Sequence, residues 1–215
     1  PYTRMGALAL LRARLQDTAD KIEQRKNDGS NKAPVTYEDK IFEKLLTGSE
    51  VLRVHVHKTD DIASLLRVSE EFGITVTVEH SCDVFDGAIY QELAKRDIPV
   101  VYGPLDSFAY KVELKHENWR NLQGLIESGV RFGLMTDHPV ILQRLLPLTT
   151  RWFGRFGYTR QQCIELITRR NAEILGIDSL LGTLEAGKTA SFVGWNGDPF
   201  DIMHYPQSVF AEGKN

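Results

Sequence analysis

The sequence predicts an α/β protein built on a parallel sheet, with a small β element at its C-terminal end. Three observations carry that prediction. First, four short runs read as strands: 51–57, which alternates and is rich in Val, and the apolar runs 74–78, 99–102 and 130–135. Second, helical patterns follow these runs at a repeat of about 25 residues, the size of a βα unit, which implies parallel strands joined by right-handed crossovers. Third, the tail changes character: residues 182–188 are turn-rich, and two short apolar runs, 190–195 and 208–211, flank Asn196-Gly197-Asp198-Pro199. The chain therefore divides into a βα-repeat portion, 1–181, and a small β element, 182–215.

The helices follow from periodicity and from their ends. In 1–26, Met5, Leu8, Leu11, Leu15 and Ile22 recur at helical spacing. Residues 27–34 are polar and contain Gly29 and Pro34, so a loop is expected. A second helix, 37–46, places Ile41, Leu45 and Leu46 on one face, with Gly48 where a C-cap belongs. Asp60 and Asp61 open a helix over 62–72 that ends at Gly73. Further helices are expected over 84–96, 119–128, 142–153 and 159–175.

Composition narrows the function. A chain of 215 residues is long enough for one domain with an appendage and for a substantial core. The hydrophobic fraction of 42% and charged fraction of 26% are those of an ordinary globular protein, and a net charge of −3 argues against a general nucleic-acid or anionic-membrane binder. No apolar run reaches the length of a bilayer span. The opening residues do not resemble a signal peptide. Cys82 and Cys163 form neither a metal-type spacing nor a disulfide framework, which suits a reducing, cytoplasmic setting.

The chemistry-bearing residues cluster at strand ends. His55 and His57 close the first strand, His80 the second, and Asp137 and His138 the fourth. In parallel strands these ends share one rim, where α/β proteins bind ligands. His55 and His57 point to the same face, because side chains alternate along a strand. Two histidines and one aspartate at one rim suit Zn²⁺, Fe²⁺ or Mn²⁺ with a position open to water, and a carboxylate can take that water's proton. Each residue also has a plainer reading. Asp137, followed by Pro139, is the natural N-cap of a next helix. A lone strand histidine more often just satisfies local hydrogen bonds. Glu79 reads as a holder of a strand-end amide, and His116 and His204 as surface residues. Glu113, Lys115 and Trp119, in the long loop after the third strand, are within reach of a substrate or are simply solvated. Cys82 reads as a small buried residue.

Taken in order, these motifs resemble the amidohydrolase superfamily, in the branch of imidazolonepropionase-like enzymes and metal-dependent dipeptidases. The segment Tyr2-Thr3-Arg4-Met5-Gly6 before a helix resembles a family segment. His55-Val56-His57 followed by Lys58-Thr59-Asp60-Asp61-Ile62 resembles the fifth strand of the family's (β/α)8 barrel, Val78-Glu79-His80 the sixth and Thr136-Asp137-His138-Pro139 the eighth. The stretches 171–176, 181–188 and 195–199 resemble the return to a small β-sandwich beside the barrel.

The resemblance implies a partial barrel, the last four βα units with parallel strands, plus a piece of that sandwich. It implies His55 and Asp137 as metal ligands, Asp137 as general base, and His80 as a ligand of a second metal or as a catalytic substrate contact that stabilises the developing oxyanion. His57, His138, Tyr102 and Lys115, with Arg144 as a further guess from position, are expected near substrate or behind the ligands. The implied cofactor is a divalent metal, zinc first and iron or manganese next. The implied partner is a small-molecule substrate, with neither nucleic acid nor membrane. The family's first-strand His-x-His pair and its fourth-strand Lys find no counterpart before His55, so Pro1 reads as a truncation point. An alternative expectation is therefore a non-catalytic fragment. Its exposed sheet edges would drive homo-oligomerisation or pairing with an N-terminal half, and the metal could be absent from it. Ser191 stands where the family usually has Asp.

Overall fold

Four parallel strands form one sheet in the order β1 (Leu52–Val56), β2 (Val76–His80), β3 (Val100–Tyr102) and β4 (Phe132–Leu134). The structure is a computed structural model and describes residues 2–28, 35–107 and 111–214. Leu52 pairs with Val76, Val78 with Val100, and Val100 with Phe132, so neighbouring strand ends lie level along one rim. A sheet of this order is one side of the expected barrel.

Helices α1 (Arg4–Asp28), α2 (Tyr37–Leu46) and α3 (Thr59–Phe72) follow as the periodicity predicts, and α4 (Ala88–Lys95) and α5 (Leu122–Glu127) form in shortened versions. Of the expected loop 27–34, Asn27 and Asp28 instead close α1, and residues 29–34 lie outside the described residues. Helix α2 opens with a capping box in which Thr36 and Asp39 exchange hydrogen bonds, and α3 ends on Gly73 at φ 63°.

The apolar core lies between one face of the sheet and these helices. Val56, Val76, Val78, Val100, Tyr102 and Leu134 pack with Ile62, Leu65, Tyr90, Leu93, Leu122 and Leu125. Phe153 stacks on Phe132, with centroids 5.5 Å apart, and closes the core beyond β4.

The structure corrects four expected helices, each for a local reason. The helix expected over 84–96 starts only at Ala88, because the Asp86 carboxylate accepts the Ala88 N–H in a preceding turn. Residues 119–121 form a 3-10 turn, held by Asn118 Oδ1 at the Arg120 N–H, before α5 begins. The helix expected over 142–153 is broken into a 3-10 turn and two short helices, α6 (Leu146–Thr149) and α7 (Arg151–Gly154); Pro147 lacks the N–H an interior turn needs and sits at the start of α6. The helix expected over 159–175 divides at Thr168, whose φ −127° and ψ −91° are not helical, into α8 (Arg160–Ile167) and α9 (Arg169–Leu175). In the tail, β5 (Phe192–Trp195) and β6 (Pro206–Phe210) form a separate antiparallel pair.

Candidate metal centre

The rim brings three histidines together. The His55 ring lies 4.8 Å from that of His57 and 4.1 Å from that of His80, and His57 and His80 are 4.7 Å apart. One ligand atom from each lies within 4.8 Å of the others. His55 and His57 reach this position by strand alternation. His80 does not: its register partner is Val56, and alternation would send it to the core face with Val76 and Val78. The strand breaks there. His80 has φ 84° and Ser81 φ 54°, conformations that cost a non-glycine residue and that turn its ring to the other face.

The environment keeps these imidazoles neutral. Burial pushes His57 down to about 3, and the neighbouring His80 and His55 add to the effect. Burial also lowers His55 and His80, the latter against the hydrogen bond to Gly103. The charges of Lys111 and Arg4 act in the same direction on His55 and His57. Arg4 is itself held between Asp61, at 3.1 Å, and Glu113, which also pairs with Lys111. A neutral imidazole offers a lone pair, the form a metal ligand requires.

Hydrogen bonding assigns one tautomer. His80 Nδ1 lies 2.7 Å from the Gly103 carbonyl, which can only accept, so Nδ1 carries the proton and the unprotonated Nε2 presents its lone pair. Gly103 has φ 140°, and a side chain there would meet the Met135 carbonyl at 2.1 Å, so only glycine brings this carbonyl into place. His57 Nδ1 is buried without a hydrogen-bond partner, a costly state that a cation would relieve. The donor set therefore fits a divalent metal.

Asp137 stands at the end of β4, half-buried, with φ 50°. It caps no helix. Its carbonyl accepts the Val140 N–H in a turn, and the next element begins at Gln143. Its charge bears on both His55 and His80, opposing the fall in each.

The remaining candidates spread out. His138 is exposed, and its Nδ1 accepts the Gln143 N–H at 3.3 Å. Tyr102 is 2% exposed and belongs to the apolar core, on the face away from the histidines. Lys115 and Arg144 are exposed. Glu79 holds no backbone amide: it accepts the Thr77 hydroxyl at 2.6 Å and faces Arg53. Cys82 is buried, which pushes its thiol up.

Sequence reasoning missed two partners. One is the Gly103 carbonyl, for which the Gly-Pro pair after the third strand was the available signal. The other is Asp83, buried at 2% exposure, whose carboxylate accepts both the backbone N–H of His116, at 2.7 Å, and its Nδ1, at 3.1 Å. No sequence signal linked residues so far apart.

A four-stranded parallel sheet with three histidines converging on its C-terminal rim is one side of a (β/α)8-type barrel with a candidate metal centre. The chain belongs to the amidohydrolase family, whose model matches residues 17–215. It is 32% identical to an amidohydrolase of known structure from Thermotoga maritima, superposing with a TM-score of 0.90 over 99% of this chain and 56% of that one. It is 31% identical to imidazolonepropionase of Acinetobacter baumannii over 46% of this chain and 24% of the relative. The amidohydrolase tasK of Hapsidospora irregularis is 22% identical over 99% of this chain and 23% of its own length. The chain thus spans about a quarter of these two relatives and just over half of the Thermotoga structure.

Proposed function

We propose that the protein is a metal-dependent hydrolase that cleaves a C–N bond of a cyclic amide, an amidine or a dipeptide-like small molecule. The observation that carries this reading is the convergence of three neutral imidazoles beside Asp137 at the rim. Family membership supports it, as do relatives that bear the names amidohydrolase and imidazolonepropionase.

In this reading His55, His80 and Asp137 hold a divalent cation, and His57 is a further donor. Imidazoles with one carboxylate suit zinc first, with iron and manganese next. The cation, when bound, supplies Lewis acidity to the scissile carbonyl and to the attacking water. Asp137 takes the proton of that water and returns it to the leaving nitrogen. His80 acts as a ligand rather than as a donor to the developing oxyanion, because its proton is committed to Gly103. His138 and Lys115, both exposed beyond the rim, are left to meet the far end of the substrate; Tyr102 keeps only a supporting place behind β3.

The test is metal content. The full chain is dialysed against about 10 μM Zn²⁺ and analysed by plasma mass spectrometry, an excess that saturates a site of ordinary protein affinity. About one equivalent is expected in the wild type, with loss in His55→Ala and His80→Ala and a weaker site in Asp137→Ala. Metal-free wild-type chain would sink the reading of these residues as ligands.

A second reading has its own observation. The sheet ends at β1, where the backbone groups of Arg53 and His55 point away from β2. By itself the chain would then be a non-catalytic element that pairs with another copy or with a complementary half.

A further inference from the structure

Two tryptophans and three arginines, none of them in the histidine cluster, form a stack that neither the fold nor the candidate metal centre requires. Trp119, in the turn before α5, lies against Trp152 of α7, with centroids 5.4 Å apart and planes 21° apart. The Arg155 guanidinium sits over both indoles, at 5.2 and 4.8 Å. Arg120 covers Trp119 at 4.9 Å, and Arg151 covers Trp152 at 5.2 Å. Asp106 anchors the stack: it accepts the Trp152 indole N–H at 2.8 Å and pairs with Arg151 at 2.9 Å.

The charge does not balance. Asp106 answers Arg151, but among the described residues no carboxylate lies within ion-pair distance of Arg120 or Arg155. Both guanidinium groups rest on the same indole, so they are no more than about 10 Å apart, near the Debye length at physiological salt. The chain as a whole is acidic, yet here it concentrates two exposed, unanswered cations on a rigid aromatic support.

We propose that Arg120, Arg151 and Arg155, splayed on the Trp119–Trp152 stack, form a docking surface for an acidic segment of a partner protein. Guanidinium groups held within 5.2 Å of the indole ring centres still offer N–H edges for bidentate contact with carboxylates, and these contacts restrict their rotamers before binding. Tryptophan and arginine are also the residues that dominate binding at protein interfaces. The two indoles face each other and three guanidinium groups crowd their ring centres, an arrangement that favours anionic side chains over a stacked nucleic-acid base. A lone small anion gains little, because one exposed ion pair changes a binding constant by about fivefold at most. Several carboxylates on one segment are needed.

The experiment is fluorescence anisotropy of a dye-labelled hexaglutamate peptide titrated with the full chain at low salt. Hexaglutamine and an oligothymidylate of equal length serve as comparisons. The expected result is saturable binding of hexaglutamate alone, weakened by added salt and reduced at least tenfold in Arg120→Gln/Arg155→Gln. Both replaced side chains are exposed, so the thermal midpoint should stay put. Arg155→Lys, which keeps the charge and loses the planar fork, should show an intermediate loss. The proposal is overturned by no hexaglutamate binding, by equal binding by the double variant, or by tighter binding of oligothymidylate. Self-association of the chain that the double variant abolishes would also overturn it, by assigning the surface to a second copy.

Discussion

His80 shows how much one backbone angle decides. Its φ of 84° interrupts the alternation of β2 and moves its ring from the core face to the rim, where Gly103 fixes its proton. Asp39 makes the opposite point, since its role follows from ordinary capping chemistry. Its carboxylate accepts the backbone N–H and the hydroxyl of Thr36, and it meets Lys21 and Arg14 from α1. These contacts, Thr36 foremost, hold its carboxyl well below the usual range. The folded value lies below the unfolded one, so the stabilisation is complete above about pH 4 and is lost as pH falls through the folded value. Urea midpoints measured from pH 7 downward should therefore fall in acid for the wild type. Asp39→Asn should start lower and fall less steeply. The two thiols give a simpler check. Cys82 and Cys163 are 1% and 4% exposed, so a thiol reagent should label neither in the native chain and both in denaturant.

At the scale of elements, the strands and α1 to α5 were legible because period two and period 3.6 survive in single segments. The segments after β4 were not. A run such as 142–153 contains helix formers at helical spacing, but Pro147 and the close packing of Phe153 on Phe132 and Tyr158 cut it into short turns. The connection after β3 carries the most demanding position. Gly103→Ala would press a methyl group onto the Met135 carbonyl and strain the backbone at φ 140°. A loss of about 1–3 kcal/mol by denaturant titration is expected, with a weaker metal site because the His80 acceptor moves. Unchanged stability would show that β3 and β4 are not so closely apposed here.

For the whole molecule, the sheet edges are unequal. The sequence led to an expectation of two open edges. At β4, however, α8 and α9 pack alongside, and the Asn171 amide donates to the Leu134 carbonyl at 3.0 Å, so that edge is partly satisfied. The β1 edge keeps the backbone groups of Arg53 and His55 unpaired within the sheet. Multi-angle light scattering of the purified chain should thus find a dimer or larger species. Arg53→Pro, placed on that edge, should shift it toward monomer. A stable monodisperse monomer would remove the second reading of its function. No helix among the described residues is long and apolar enough to cross a membrane.

The sequence by itself determined the parallel βα order, the family, and the placing of His55, His57, His80 and Asp137 at strand ends, because these depend on local periodicity and short motifs. Only the tertiary structure decided which of those groups meet. Convergence at the rim depends on the turn at His80, the Gly103 carbonyl behind it and the burial that keeps three imidazoles neutral. The same holds for Tyr102, withdrawn into the core, for Asp83 beneath His116, and for the indole stack that joins residues 119 and 152. The physical reason is range: hydrogen bonding and periodicity act over a few residues of chain, whereas desolvation and charge act through space between residues that the chain keeps far apart.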